Sequence, residues 1–360
     1  MIKTVVFGGT FAPAHAGHKN LLKSVMAHGY DRAIVIPDKI PPHKSRDGVT
    51  DDFSERFEAV KLLFSDMPDV IVSDIENKRE GKSYTADTLK ILRRQYPEYE
   101  LYLLVGSDML LTIDKWYNAG YILSTTPIIS AARSDDDVKK ISEYKKILEK
   151  NYNCSIILYD VNILKLSSTE LRTPLVQKIN EHNKKYLSPK RQNHVISVAN
   201  YAAYLANIHG IPVYDAYVAA LLHDCTKHLD DSAQTEYFAK NNITLTDDEQ
   251  KSPKIWHQIS GAHFAKTHFG IENTDIINAV AYHTTGRENM SALEKLICLA
   301  DSIEPTRDYE GVDAMRKAAE SSLDTALLMS LERLVGYVGE RGLYLNQQTL
   351  KALSFLKEGQ

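Results

Sequence analysis

A chain of 360 residues is too long for one typical hydrophobic core, so two domains are expected. With 43% hydrophobic and 25% charged residues the composition is that of a soluble globular protein, and a formal net charge of −4 gives no case for a nucleic-acid partner. Cys154, Cys225 and Cys298 lack paired spacing, no signal-peptide pattern opens the chain, and no apolar run approaches the roughly 18 residues of a membrane span, which together point to the cytoplasm without a membrane partner.

The first half alternates short β-rich runs with helical stretches. Strands are expected at residues 4–7, 33–36, 70–72, 101–105, 127–131 and 155–158. Between them, 54–64 and 84–96 read as helices, with Ser54 and Ser83 as candidate caps. Such alternation predicts a parallel sheet wrapped by helices.

The first strand ends in Gly8-Gly9-Thr10-Phe11-Ala12-Pro13-Ala14-His15-Ala16-Gly17-His18. Glycines there let backbone approach a phosphate, and a helix starting near Gly17 offers its N–H groups and dipole to an anion. His15 and His18 at that entrance suit hydrogen bonding to a transferring phosphoryl group. Taken alone, the segment also reads as a Gly-rich turn with two exposed histidines.

After about residue 187 the texture changes, with Ser188-Pro189-Lys190-Arg191 as punctuation and helical patterns at 194–206, 214–223, 255–268, 274–282 and 293–300. The domains are therefore expected at 1–187 and 188–360. His223 and Asp224 end the apolar run 218–222, and Asp301 follows the apolar run 296–300. A carboxylate beside an imidazole at the end of a buried helix is costly unless paired or ligated. With His194, His257 and His283, also placed in helical segments, these six groups suit one or two divalent metals inside a helical bundle. His209, His228, His263 and His268 are left as structural or surface residues.

The N-terminal segment resembles the signature of the nucleotidylyltransferase superfamily. Further motifs match nicotinate-nucleotide adenylyltransferases in their expected order: Ile36-Pro37…Pro41-Pro42-His43-Lys44, Ser83-Tyr84-Thr85-Ala86-Asp87-Thr88-Leu89, Val105-Gly106-Ser107-Asp108 followed by Trp116, and Ser167-Ser168-Thr169-Glu170-Leu171-Arg172. The likeness implies a Rossmann-like α/β fold and attack of nicotinate mononucleotide on the α-phosphate of ATP, with Mg²⁺ accompanying ATP. It implies that Gly8, Gly9, Thr10, Phe11 and Asp108 line the nucleotide site with His15 and His18. Trp116 would then face the pyridine ring, Thr85 the nicotinate carboxylate, and Lys44, Ser167, Ser168 and Arg172 the phosphates. The family usually reads Phe-Asp-Pro-Pro-His where this chain has Phe11-Ala12-Pro13-Ala14-His15.

The second half resembles the HD-domain phosphohydrolases. The stretches Leu221-Leu222-His223-Asp224-Cys225-Thr226-Lys227, Ala281-Tyr282-His283-Thr284-Thr285-Gly286 and Leu299-Ala300-Asp301-Ser302-Ile303-Glu304-Pro305-Thr306-Arg307 look like those of symmetrical diadenosine tetraphosphatases. That likeness implies an all-α HD-domain bundle and one or two divalent or trivalent metals, iron in first place. It implies cleavage of diadenosine tetraphosphate to two ADP, with His194, His223, Asp224, His257, His283 and Asp301 as ligands. Asp224 and Lys227 would serve catalysis, and Lys227 and Arg307 would bind the polyphosphate. The resulting expectation is a bifunctional enzyme, a homo-oligomer being left open. The alternative is a catalytically impaired N-terminal nucleotide-binding module that regulates an HD phosphohydrolase acting on another nucleotide, motivated by Ala12.

Overall fold

Residues of alternating side on each strand bury both faces of a parallel sheet. The protein's structure, a computed structural model, describes residues 1–40, 52–132, 135–161, 164 and 166–358. Its first half runs β1 (Ile2–Gly9), α1 (Ala16–Met26), β2 (Arg32–Pro37), α2 (Phe53–Leu63), β3 (Val70–Val72) and α3 (Thr85–Gln95). It continues through β4 (Tyr99–Gly106), α4 (Ser107–Leu110), α5 (Ala119–Thr125), β5 (Ile128–Ala131), α6 (Asp135–Tyr152) and β6 (Ile156–Tyr159). Among the described residues the strands form a six-stranded sheet of order β3-β2-β1-β4-β5-β6, parallel at every pairing.

On β1, Val5 and Phe7 pack with Leu21, Leu22 and Val25 of α1 and Val60 and Leu63 of α2. Val6 points the other way, into a core with Leu89 and Leu92 of α3, Ile122 and Leu123 of α5 and Ile141 and Leu148 of α6. A one-residue slip would exchange these sets, so burial on both faces fixes the register. The strand order reverses between β1 and β4, and in open α/β sheets the crevice beyond the strand ends at that point is where ligands bind. Gly8, Gly9 and Asp108 all stand at that edge, Asp108 in the first turn of α4.

All six expected strands form, and the helix starts differ from expectation in two places. Asp52, not Ser54, precedes α2, and its side chain makes no capping hydrogen bond among the described residues. Ser83 lies before the N-cap Tyr84 of α3, and its hydroxyl accepts from the backbone N–H groups of Lys39 and Ile40. A loop distant in sequence claims that oxygen, which local capping rules do not register.

The second half is helical throughout its described residues: α7 (Pro174–Tyr186), α8 (Pro189–His209), α9 (Val213–Leu222), α10 (Asp231–Lys240), α11 (Asp247–Gln250) and α12 (Trp256–His268). These are followed by α13 (Thr274–Ala281), α14 (Ala292–Ile303), α15 (Val312–Ser321), α16 (Leu323–Glu340) and α17 (Gln347–Glu358). Ser188 caps α8 with Pro189 at its first position, and Gly210 ends it in the left-handed region at φ 67°. Every residue of α9 from Ala216 to Leu222 is buried, as an all-round apolar pattern requires. The chain divides into two compact units, Met1–Ser168 and Thr169–Gln360. Helix α7, read from sequence with the first half, packs on α8 and α9 within the second unit. No helix among the described residues is long and apolar enough to cross a membrane.

Candidate functional site

In the first unit, the helix following β1 begins with two imidazoles as its caps. His15 Nδ1 accepts from Gly17 N at 3.2 Å, and His18 Nδ1 accepts from His15 N at 3.3 Å. These satisfy two N–H groups that a helix start otherwise leaves unpaired. Because each Nδ1 is an acceptor, the neutral rings carry their proton on Nε2. His15 Nε2 donates to Ser168 Oγ at 3.2 Å, and Ser168 Oγ donates to the Pro13 carbonyl at 3.3 Å. The His15 and His18 rings lie 3.8 Å apart, and Phe11 packs 4.8 Å from His18.

From sequence both histidines are expected as donors to a phosphoryl group. The structure makes each of them also a helix cap, and it commits His15 Nε2 to Ser168. A Cβ on Gly17 would meet the Leu166 carbonyl oxygen at 2.8 Å and His15 Nδ1 at 2.9 Å, so glycine is required there by crowding. At Gly8 the nearest atom to such a Cβ is 4.0 Å away, and at Gly9 it is the Phe11 ring at 3.3 Å.

Thr85 occupies the first position of α3, whose N-cap residue Tyr84 makes no side-chain capping hydrogen bond among the described residues. The ring of its sequence neighbour Tyr84 lies 4.4 Å from that of Tyr117, and Trp116 packs partly buried against the core. Thr10 Oγ1 donates to Asp38 Oδ2 at 3.3 Å. Ser167 is half-buried in the same unit. Lys44 lies outside the described residues. Arg172 falls in the second unit, on a short 3-10 turn, with its guanidinium on Thr169 Oγ1 at 3.1 Å.

In the second unit the six expected ligands converge. His194 comes from α8, His257 from the first turn of α12 and Asp301 from the last turn of α14. His223 and Asp224 follow α9 directly, and His283 sits in the turn just past α13 rather than inside a helix. Asp224 stands between two imidazole pairs. Its Oδ2 is 3.5 Å from His223 Nε2 and 4.0 Å from His194 Nε2, while its Oδ1 is 3.3 Å from His257 Nε2 and 3.9 Å from His283 Nε2. Asp301 Oδ1 is 3.0 Å from His194 Nε2 and 3.9 Å from His223 Nε2.

Three rings are oriented from behind. His223 Nδ1 donates to the Ala220 carbonyl at 2.6 Å, His283 Nδ1 to the Val280 carbonyl at 2.8 Å, and His194 Nδ1 to Glu304 Oε1 at 3.2 Å. With the proton on Nδ1, each Nε2 turns a lone pair inward. The Nε2 atoms of His223 and His194 lie 3.4 Å apart, and those of His257 and His283 lie 3.1 Å apart. Donors around a divalent ion at about 2.1 Å stand roughly 3–4 Å apart, which is the spacing present. The donor set therefore fits a divalent metal, and its nitrogen and carboxylate mixture suits a transition metal.

Two groups that sequence reasoning passed over complete the cage. Glu304, fully buried, holds His194 and accepts from Ser197 Oγ, Thr306 N and Thr306 Oγ1. Arg191 Nη1 donates to Asp224 Oδ2 at 2.7 Å. Arg191 lies three residues before His194 on α8, and that helical spacing was the available signal. Lys227 Nζ is 2.9 Å from His257 Nδ1, and Arg307 Nη2 donates to Asp301 Oδ1 at 2.8 Å.

Charge in this cage is set by burial against pairing. Burial pushes the imidazoles of His223 and His257 below their ordinary value, and takes His283 down to about 4 with the neighbouring His223 adding to it. Burial alone would raise Asp224, but His223 and His257 hold it below the carboxylate range. Burial likewise opposes ionisation of Glu304, yet the bonds from His194, Ser197 and Thr306 bring it to about 2. His194 moves upward, since Asp301 and Glu304 outweigh its burial. Lys227 is lowered, mainly by burial.

A pH dependence follows for the metal-free protein. Between pH 6.5 and about 4 an unfolded His283 binds a proton that the folded one does not, so stability falls as pH descends through that window. That shift corresponds to on the order of 3 kcal/mol. His223 and His257 have the same sign, while His194 opposes them. Thermal melting of chelator-treated protein should show the helical unit losing stability from pH 7 to pH 5. A flat or rising melting temperature would contradict this.

The chain is also similar to known proteins. The Cytidylyltransferase-like family matches residues 6–174 and the HD domain matches residues 191–306. A probable nicotinate-nucleotide adenylyltransferase of Clostridium novyi is 33% identical over 56% of this chain and 98% of its own length. A crystal structure from Clostridium acetobutylicum, described as a predicted HD superfamily hydrolase involved in NAD metabolism, is 37% identical. It covers 51% of this chain and 97% of that one, with a TM-score of 0.50. The chain belongs to the nicotinate-nucleotide adenylyltransferase family, joined to an HD-superfamily hydrolase unit. One relative spans both units: a Mycoplasma genitalium protein, 26% identical over 92% of this chain and 97% of its own, named as a probable nicotinate-nucleotide adenylyltransferase/Ap4A hydrolase. The adenylyltransferase unit thus carries the imidazole-capped loop, and the HD unit carries the donor cage.

Proposed function

We propose that the chain is a bifunctional enzyme of nucleotide metabolism. The adenylyltransferase unit transfers AMP from ATP to nicotinate mononucleotide, giving deamido-NAD and pyrophosphate. The HD unit hydrolyses diadenosine tetraphosphate to two ADP. The observation that carries this is the relative named for both activities, which spans nearly the whole chain. That relative also speaks against reading the first unit as a binding module only.

In the first reaction the phosphate oxygen of nicotinate mononucleotide attacks the α-phosphorus of ATP and pyrophosphate leaves. Gly8, Gly9, Thr10 and Phe11 bring backbone to the phosphates, and His18 places an Nε2–H where charge grows on the transferring group. His15 orders the loop and Ser168, while Ser167 and Asp108 complete the ATP site with Mg²⁺. Trp116 faces the pyridine ring, and the N-terminal end of α3 at Thr85 receives the nicotinate carboxylate.

In the second reaction His194, His223, Asp224, His257, His283 and Asp301 would hold one or two metal ions, iron in first place, which when bound would supply positive charge to activate water and screen the phosphate oxygens. Lys227 and Arg307 bind the polyphosphate, and a Lys227 lowered by burial is placed to manage a proton. Three cysteines without disulfides suit a cytoplasmic setting.

Purified protein with ATP, Mg²⁺ and nicotinate mononucleotide should form deamido-NAD. The same sample with Fe²⁺ or Mn²⁺ should turn diadenosine tetraphosphate into ADP alone. ATP with AMP as products would overturn the symmetrical cleavage, and no turnover in either assay would overturn the proposal.

A further inference from the structure

The loop that cradles phosphate in the first unit is tied from outside itself. Arg56 lies on α2, buried at 4% exposure, with no obvious reason in the sequence for a guanidinium to be inside. Its Nη1 donates to the Thr10 carbonyl at 2.7 Å and its Nη2 donates to the Asp38 carbonyl at 2.8 Å. Thr10 belongs to the loop after β1 and Asp38 to the loop after β2, neighbouring strands of the sheet. The same two loops are joined twice more, by Asp38 N to the Gly9 carbonyl at 2.9 Å and by Thr10 Oγ1 to Asp38 Oδ2 at 3.3 Å. The Phe53 ring lies beside the guanidinium, its centroid 5.7 Å away.

A planar guanidinium holds its donors in a rigid fork, so it clasps two carbonyls in one fixed geometry, which a freely rotating ammonium does not impose. It also adds positive potential directly behind a loop that must accept a polyphosphate, in a buried place where water screens it poorly. Ala12 bears only a methyl group, which donates and accepts nothing, so the loop's own side chain at that position cannot anchor it.

We infer that Arg56 is a positioning residue for adenylyl transfer: it fixes the Gly9–Thr10–Phe11 backbone against Asp38 so that the triphosphate meets it in one geometry. This rests on the adenylyltransferase reading of the first unit. Misplacement of reacting groups by about 1 Å costs up to about 10²-fold in rate. Arg56→Lys keeps the charge and loses the fork.

The test assays wild type, Arg56→Lys and Arg56→Ala for both activities, with calorimetry of Mg-ATP binding and a thermal melt of each. Expected for Arg56→Lys is a kcat for adenylyl transfer lower by about 10²-fold. Mg-ATP binding should weaken, with the melt little changed and hydrolysis by the HD unit equal to wild type. Millimolar guanidinium should restore part of the transfer activity of Arg56→Ala, if that variant folds. An unchanged kcat and ATP affinity in Arg56→Lys would overturn the inference. So would a loss of activity that tracks unfolding of the first unit and is not rescued. Wild type that binds Mg-ATP but makes no deamido-NAD would instead defeat the functional reading, and the binding arm would still judge Arg56.

Discussion

Asp224→Asn should lower hydrolysis of diadenosine tetraphosphate by about 10³-fold and leave adenylyl transfer at its wild-type rate. Asp224 is the group that faces both halves of the cage, one oxygen toward His194 and His223 and the other toward His257 and His283. Asparagine preserves its volume but replaces a bridging anion with a neutral amide, one arm of which is a donor. Metal-ion catalysis contributes several kcal/mol, and about 4 kcal/mol corresponds to the stated factor. Arg191 would also lose the carboxylate it bonds. Elemental analysis of the variant should show depleted metal alongside the lost activity. Full metal content with full hydrolysis would remove Asp224 from the site. Loss of both activities together would show a collapse of the fold rather than a local effect.

His18→Asn separates two roles in the other unit. The asparagine carboxamide can place an oxygen near the position of the imidazole Nδ1, and so keep the bond from His15 N that starts α1. It has nothing at the position of Nε2. Removing one donor from a developing phosphoryl charge costs about 10²–10³-fold in kcat. The expected result is therefore a loss of that size in deamido-NAD formation, with a melting temperature close to wild type and unaltered hydrolysis. His18→Gln, whose amide reaches toward the Nε2 position, should recover part of the loss. Wild-type turnover by His18→Asn would confine His18 to helix capping.

The units differ in how openly their sequences declare them. Six strands were legible because each is a short apolar run in a βα alternation, and the loop after β1 because Gly8, Gly9, His15 and His18 crowd a strand-to-helix turn. The convergence of these histidines and aspartates was legible because a His-Asp pair has no inexpensive place at the end of an apolar helix such as α9. Arg56 was not legible. Its partners are the carbonyls of Thr10 and Asp38, and a backbone oxygen leaves no trace in a sequence. Glu304 stood inside a recognised stretch, yet only burial shows that it orients His194. Ser83 misled for a similar reason, because its hydroxyl serves a loop some 44 residues earlier and not its own helix.

The central claim is that imidazoles and carboxylates from separate helices of the HD unit converge to hold metal. Anomalous diffraction from crystals of the intact protein loaded with Mn²⁺ or Fe²⁺ tests it most directly. The account predicts anomalous density beside Asp224, within about 2.0–2.3 Å of the Nε2 atoms of the surrounding histidines. Loaded crystals with no density in that cage, or with metal bound only elsewhere, would contradict it.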